Sequence, residues 1–181
     1  PTKQAAAAVG QCELMYIYDR LFAEHNHTVA QLLITAPDID DPVRKENFHN
    51  TLERLLAFRV LPIINENDTV STEELGIGDN DTLSATVAAS VNADLLVLLS
   101  DIDGLYDQDP HINPHARLIP VVEKLDEHIL SLAGGKGSAL GTGGMVTKLR
   151  AAQIAGAAGV DMVIANGQDP LLLYDIAEGR P

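Results

Sequence analysis

A single cysteine, Cys12, stands in a chain of 181 residues. No internal disulfide can form from it and no Cys-based metal spacing exists, which fits a reducing cytoplasm. Cys12 itself reads as a small hydrophobic residue on a helix. Basic residues are scarce too: 12 Lys and Arg against 26 Asp and Glu leave a formal charge of −14. That balance argues against a nucleic-acid partner and an anionic membrane surface, both of which call for a basic face. No apolar run approaches the ~20 residues of a membrane span, and no signal-peptide pattern opens the sequence. Heptads, internal repeats, low-complexity tails and linker-like composition are also missing, so the 46% hydrophobic content points to one domain with a real core. The sequence opens PTKQ without an initiator Met and stops at EGRP, which leads us to expect a piece of something longer.

Helical and strand patterns alternate along the chain. KQAAAAVGQCELMYIYDRLFAEH, DDPVRKENFHNTLERLLAF, DTLSATVAASVNA, MVTKLRAAQIAGAAG and DPLLLYDIAEG have helical spacing. Pro42 sits at a first turn, Asp81 or Asn80 is the expected cap of the third helix, and Gly159 ends the fourth. TVAQLLIT, VLPIIN, ADLLVLLSD and VDMVIAN read as strands, ADLLVLLSD as one covered on both faces. VVEKLDEHILSLAG suggests a short strand and a helix, DGLYDQDPHINPHARLI a loop, and GGKGSALGTGG a flexible segment. The alternation implies crossovers in an α/β protein, with a mostly parallel sheet.

Three polar clusters fall where such a fold gathers ligands. INENDTVSTEELGIGDND, residues 64–81, is dense in acids, amides and hydroxyls but has no Lys or Arg. Asn65, Asn67 and Asp68 leave a strand end, and Gly78-Asp79-Asn80-Asp81 leads into a helix. Carboxylate and amide oxygens there suit an ammonium group and exposed N–H groups suit a carboxylate, which together recognise an amino acid. Asp68, Asp79 and Asp81 side by side imply a Mg²⁺ or Lys partner. The plainer alternative makes Asp81 an N-cap and Glu73–Glu74 a solvated loop, and for the two glutamates that alternative is preferred.

LLVLLSDIDGLYDQDP, residues 95–110, puts Ser100 and Asp101 at a strand's carboxyl end, placed to bond a nucleotide or position Mg²⁺. Asp103, Asp107 and Asp109 alternate somewhat like an ion loop without completing the twelve-residue calcium pattern, and an Asx-rich turn fits as well. GTGGMVTKLRAAQIA, residues 141–155, places glycines before a helix N-terminus, where N–H groups and the helix dipole favour phosphate. Lys148, one turn in, can neutralise its charge. A glycine hinge before a surface helix is the alternative. The six histidines (His25, His27, His49, His111, His115, His128) lack metal-ligand spacing and read as surface groups. No G-x-S-x-G supports a serine hydrolase.

INENDTV, GDND-LSA, LLSD-DGLY-DP and GTGGM-TK in this order closely resemble the glutamate 5-kinases of the amino-acid kinase family, over essentially the whole chain. The last two blocks are shared with acetylglutamate and uridylate kinases, whereas INENDTV followed by GDND is more specific. The resemblance implies a three-layer α/β/α sandwich and a partial kinase domain over residues 1–181. It implies that Asp68 and Asn80 contact substrate glutamate, Asn65 and Asp79 shape the pocket, and Asp81 orients the catalytic lysines. Ser100 and Asp101 would bind ATP. Thr142, Gly143, Gly144, Met145 and Lys148 would wrap its phosphates, with Lys148 stabilising the transferred group.

The implied reaction is attack of the glutamate γ-carboxylate on the γ-phosphate of MgATP, giving glutamyl 5-phosphate and ADP, the first step of proline biosynthesis. Proline as inhibitor, a homodimer or homotetramer, coupling to glutamyl-phosphate reductase and a cytoplasmic location follow from the same resemblance. The family's opening lysine strand and glycine-bounded segment have no match here, nor has the RNA-binding-like (PUA) C-terminal domain of many members. Gly76 stands where many relatives carry Lys or Arg. A chain without that first lysine is expected to be impaired by itself, since one charge-stabilising group is typically worth ~10²–10³ in rate. Another acceptor such as acetylglutamate, aspartate or UMP, or a non-catalytic sensor of glutamate, proline or nucleotide, are the rival readings.

Overall fold

The computed structural model describes residues 2–71, 78–110, 112–133 and 144–179. The chain divides into two compact units, Pro1–Leu83 and Ser84–Pro181. The first holds α1 (Thr2–Ala23), β1 (Val29–Ile34), α2 (Ala36–Asp40), α3 (Pro42–Ala57), β2 (Leu61–Glu66) and the first turn of α4 (Asn80–Ser90). β1 and β2 pair in parallel, from Val29 opposite Leu61 to Ile34 opposite Glu66. Parallel pairing needs a crossover, and α2 and α3 supply it.

α1 starts on an alanine run of high helix propensity. Gln4, Ala7, Gln11, Met15, Tyr18 and Phe22 recur every three or four residues and are its half-buried positions, one inward stripe. Its lower end is apolar, with Tyr18 stacked on Phe22 at 6.2 Å between centroids; its upper end carries amides. Val9, Tyr16 and Cys12 are exposed, so the expected apolar role of Cys12 does not extend to burial.

Asp41 starts α3 by accepting the N–H groups of Val43 and Arg44 at 3.0 and 2.9 Å, with Pro42 following in the first turn. Such a cap stabilises a helix by about 1 kcal/mol. Phe48 and Leu52, one turn apart, are buried. α2 went unforeseen, because the apolar run before it reads straight through Thr35. There Asp38 accepts the backbone N–H and hydroxyl of Thr35 at 2.9 and 2.6 Å and pairs with Arg44 at 3.0 Å. The hydroxyl of Thr35 is the main reason the Asp38 carboxyl lies below its usual pKa, with lesser help from the Thr35 N–H and Arg44.

The second unit contains the remainder of α4, β3 (Leu95–Ser100), α5 (Glu127–Ala133), α6 (Met145–Ala157), β4 (Asp161–Asn166) and α7 (Leu172–Ala177). β3 and β4 are parallel, from Leu95 opposite Asp161 to Ser100 opposite Asn166. Ala85 and Ala88 of α4 and Ala151 and Ala155 of α6 form the core with Leu96, Leu98 and Val160. Alanines on the helices let them approach the leucines closely. The other face of β3 is not covered as the unbroken apolar run suggested: Leu95 and Leu99 are 38% and 48% exposed.

Gly159, at φ +76°, ends α6 as expected, since its left-handed conformation suits glycine. No strand forms at 121–124. An antiparallel bridge joins Tyr106 to Leu118 instead, because Asp107 binds the Arg117 backbone through both its own N–H and its side chain. No helix among the described residues is long and apolar enough to cross a membrane. Helices alternating with parallel strands make this an α/β protein.

Candidate active site

β1 and β2 end together, with Leu33 opposite Asn65 and Ile34 opposite Glu66. The N–H of Asn67 extends the ladder by one bond to the carbonyl of Ile34 at 2.8 Å. Beyond it the chain turns: Val70 and Ser71 donate to the carbonyl of Asn67, Thr69 donates its hydroxyl to the Asn67 side chain, and Ser71 donates to Glu66 at 3.0 Å. This compact turn leaves Asp68 exposed and Asn65 half-buried. Asn65 donates its side-chain N–H to Gln11 of α1 at 3.1 Å. Ala7, Gln11, Leu33, Glu66, Asp68 and Thr69 line a small recess here.

The other half of the acidic loop starts α4. Gly78 has φ +93°, a conformation glycine adopts without a side-chain penalty. Asp79 follows and caps the helix, accepting the backbone N–H of Thr82 at 2.7 Å and its hydroxyl at 2.8 Å. The cap is therefore Asp79, not Asp81 or Asn80. Those two lie in the first turn, Asn80 exposed and Asp81 half-buried. A cap's carboxylate accepts an N–H two or three residues ahead, and Asp79 does so at Thr82. Glu73, Glu74 and Gly76 lie outside the described residues.

In the second unit, Ser100 ends β3 and donates its hydroxyl to Asp101 at 3.1 Å. The neighbouring strand end is fastened to the following loop by Asn166, which donates to Asp103 at 2.8 Å and accepts the N–H of Gln168 at 3.0 Å. Tyr106 donates its hydroxyl to the other oxygen of Asp103 at 3.0 Å. The bond from Asn166, then that from Tyr106, holds the Asp103 carboxyl below its usual pKa, and the bond to Asp103 pushes the Tyr106 phenol up. Asp103 and Asp107 thus bond protein donors in a hairpin.

Gly144 starts α6 at φ +146° and ψ −164°, a region essentially reserved for glycine. Thr147 donates its hydroxyl back to the carbonyl of Gly144 at 2.8 Å. Met145 is the first helical residue, and Lys148 is buried beside Leu149, with 9% exposure. Thr142 and Gly143, the other two residues expected at the phosphates, lie outside the described residues.

Among the described residues no three His, Cys, Asp or Glu side chains converge as metal ligands. They offer no protein cage for Mg²⁺, which in phosphoryl-transfer sites commonly relies on one or two carboxylates plus substrate phosphates. Of the histidines, His25, His27, His115 and His128 are exposed as expected and His111 lies outside the described residues. His49 is half-buried, with a ring nitrogen that has no hydrogen-bond partner among the described residues. The sequence reading passed over Gln11. Its signal was its place on the Gln4–Ala7–Gln11 stripe, which becomes visible only when the phase of α1 is known.

The amino acid kinase family model matches residues 1–166. A glutamate 5-kinase of Clostridium tetani (strain Massachusetts / E88) is 54% identical over 180 residues, 99% of this chain and 67% of that protein. One from Symbiobacterium thermophilum is 54% identical over 178 residues, 98% and 68% of the two chains. One from Clostridium acetobutylicum is 55% identical over 168 residues, 93% and 63%, so the chain spans about two thirds of the length of these relatives. Among solved structures, an isopentenyl phosphate kinase superposes with a TM-score of 0.64 at 19% identity, covering 94% of this chain and 63% of that one. Carbamate kinase from Giardia lamblia bound to AMP-PNP gives 0.64 at 18%, covering 98% and 70%. These last two likenesses bear on the fold, which is that of the amino-acid kinases. From the family match and the identities together, the chain belongs to the amino acid kinase family.

Proposed function

We propose that this chain is the acceptor-binding and phosphoryl-handling part of an enzyme that phosphorylates L-glutamate on its γ-carboxylate with ATP. The products are glutamyl 5-phosphate and ADP, and the reaction opens proline biosynthesis. The observation that carries this reading is the 54% identity over 180 residues to a glutamate 5-kinase. A carboxylate is already a nucleophile, so the protein's task is to position two anions and offset their charge.

In the first unit, Asp68 and Asn80 would contact glutamate, and Asn65 and Asp79 would shape the pocket: Asn65 through its bond to Gln11, Asp79 by fixing the start of α4. Asp81 would orient the catalytic lysines. In the second unit, Ser100 and Asp101 would hold the nucleotide. The start of α6, with Thr142, Gly143, Gly144 and Met145, would cradle phosphates, and the Lys148 ammonium would carry the charge of the transferred group. Mg²⁺ would arrive on the ATP phosphates and there offset their charge. Proline binding at the acceptor pocket, a homodimer or homotetramer, a cytoplasmic location and hand-over of the product to glutamyl-phosphate reductase belong to the same proposal.

The test is ADP release by the purified protein with MgATP, with and without L-glutamate, trapping acyl phosphate with hydroxylamine. Glutamate-dependent hydroxamate is the expected result, at a rate lowered by ~10²–10³ in a chain that lacks the first lysine. Hydroxamate or ADP formed with acetylglutamate or aspartate, and not with glutamate, would reassign the acceptor.

A further inference from the structure

We propose that Asn166 is a positioning residue of the nucleotide site: by holding Asp103 it fixes the short arch, residues 100–103, on which Ser100 and Asp101 meet the nucleotide. The inference rests on reading those two residues as nucleotide-binding. Three observations converge on it. The arch is tied to the end of β4 on both sides: the N–H of Gly167 donates to the carbonyl of Ser100 at 2.8 Å, and Asn166 donates its side-chain N–H to Asp103 at 2.8 Å. The Asn166 oxygen accepts the N–H of Gln168 at 3.0 Å, so both ends of the amide are used and its orientation is set. Past the arch the chain has no slack: Gly104 is buried, and a Cβ there would stand 3.0 Å from Leu118 Cδ1 across the hairpin.

The two carboxylates of the arch have different tasks. Asp103 takes Asn166 on one oxygen and the Tyr106 hydroxyl, at 3.0 Å, on the other, so its charge is answered within the protein. Asp101 is exposed and takes the Ser100 hydroxyl on one oxygen, where a nucleotide hydroxyl or a phosphate-bound cation can reach it. Without a donor on Asp103, two like charges two residues apart would repel and the arch would open away from β4. Asp103 is exposed, and surface bonds of this kind add little to global stability. What the bond adds is a fixed geometry at the strand end, where small displacements weaken binding and rate.

Calorimetric titration of the purified protein with Mg²⁺ and AMP-PNP, beside thermal melting, tests it. Asn166→Asp keeps the shape and the acceptor for Gln168 but sets a carboxylate against Asp103. It should weaken nucleotide binding by about tenfold, the loss of one hydrogen bond to a charged group, with the melting temperature unchanged. Adding Asp103→Asn makes amide and carboxylate trade places. The amide then at position 103 donates to the carboxylate at 166 and still accepts from Tyr106, so parental affinity should return. Asn166→Ala removes the donor without adding a charge, should show the same loss, and gives the same outcomes if Asn166→Asp does not fold. Unchanged affinity in the single variants, a loss that the exchange does not restore, or a melting temperature that falls in step with affinity would overturn the proposal. A parent protein that binds no nucleotide would overturn the nucleotide reading of Ser100 and Asp101 and this proposal with it, whereas a parent that binds no more tightly than its variants overturns this proposal alone.

Discussion

Asp79 holds Thr82 with both carboxylate oxygens, one on the backbone N–H at 2.7 Å and one on the hydroxyl at 2.8 Å. Thr82 is itself buried, so the cap fixes the direction in which α4 leaves the acidic loop. Asp79→Ala should lower stability by about 1 kcal/mol, within the usual range for a lost cap, and Asp79→Ser should recover most of it. Chemical denaturation of the three proteins at neutral pH checks this; equal midpoints would mean that the cap contributes nothing.

Replacing Lys148 removes a charge from the inner side of α6. Lys148→Met retains the apolar stem and should reduce turnover by ~10²–10³. The fold, followed by circular dichroism, should be retained. A variant with parental turnover would remove Lys148 from the chemistry.

Gly144 holds a backbone conformation that costs other residues about 1–3 kcal/mol. Gly144→Ala should therefore raise the KM for ATP and lower the melting temperature, while leaving the KM for glutamate near its parental value. Kinetics with each substrate varied in turn separate these effects.

The bonds around Asp103 set a pH window. A depressed carboxyl pKa contributes stability above the ordinary carboxylate range, and that contribution is lost as pH falls through the lowered folded value. A raised phenol pKa contributes below the ordinary tyrosine value, near 10, and is lost as pH rises through the raised folded value. The hairpin should be tightest between the two. Absorbance titration of the tyrosines should show one phenol ionising late, and Asp103→Asn should bring it back toward the ordinary value. A titration identical in the two proteins would remove the bond from Tyr106 as its cause.

Leu98 is 6% exposed within a core otherwise made largely of alanines. Leu98→Ala should cost about 2–5 kcal/mol, read by urea denaturation. Leu99→Ala, on the exposed face of the same strand, should cost far less.

The sequence carried the alternation of helix and strand because amphipathic stripes and apolar runs are written locally. It carried Pro42 and Gly159 for the same reason. α2 was illegible because five residues are too few for a helical period. The cap of α4 was ambiguous because Asp79, Asn80 and Asp81 are all able cap types, and only the bonds to Thr82 distinguish them. The bond from Asn166 to Asp103 spans 63 positions, beyond any local pattern. Gln11 stayed hidden because glutamine on an alanine-rich helix reads as solvent-facing until packing on β1 sets the phase. Of the candidate site, the residue types and their strand-end placement were legible; their division of labour was not.

The register of β3 against β4 has a consequence for synthesis. A ribosome releases residues 95–100 long before residues 161–166, and the alanines of α6 that seal the core also come late. β1 and β2, by contrast, are separated by little more than α2 and α3. The first unit can pair its strands while the nascent chain is still growing, whereas Leu96 and Leu98, with only Ala85 and Ala88 of their core already made, wait for the last quarter of the chain. Contacts of such sequence separation form slowly, and the interval is when chain–chain aggregation competes. Vectorial synthesis thus places the vulnerable moment of this protein's folding in the half that carries Lys148.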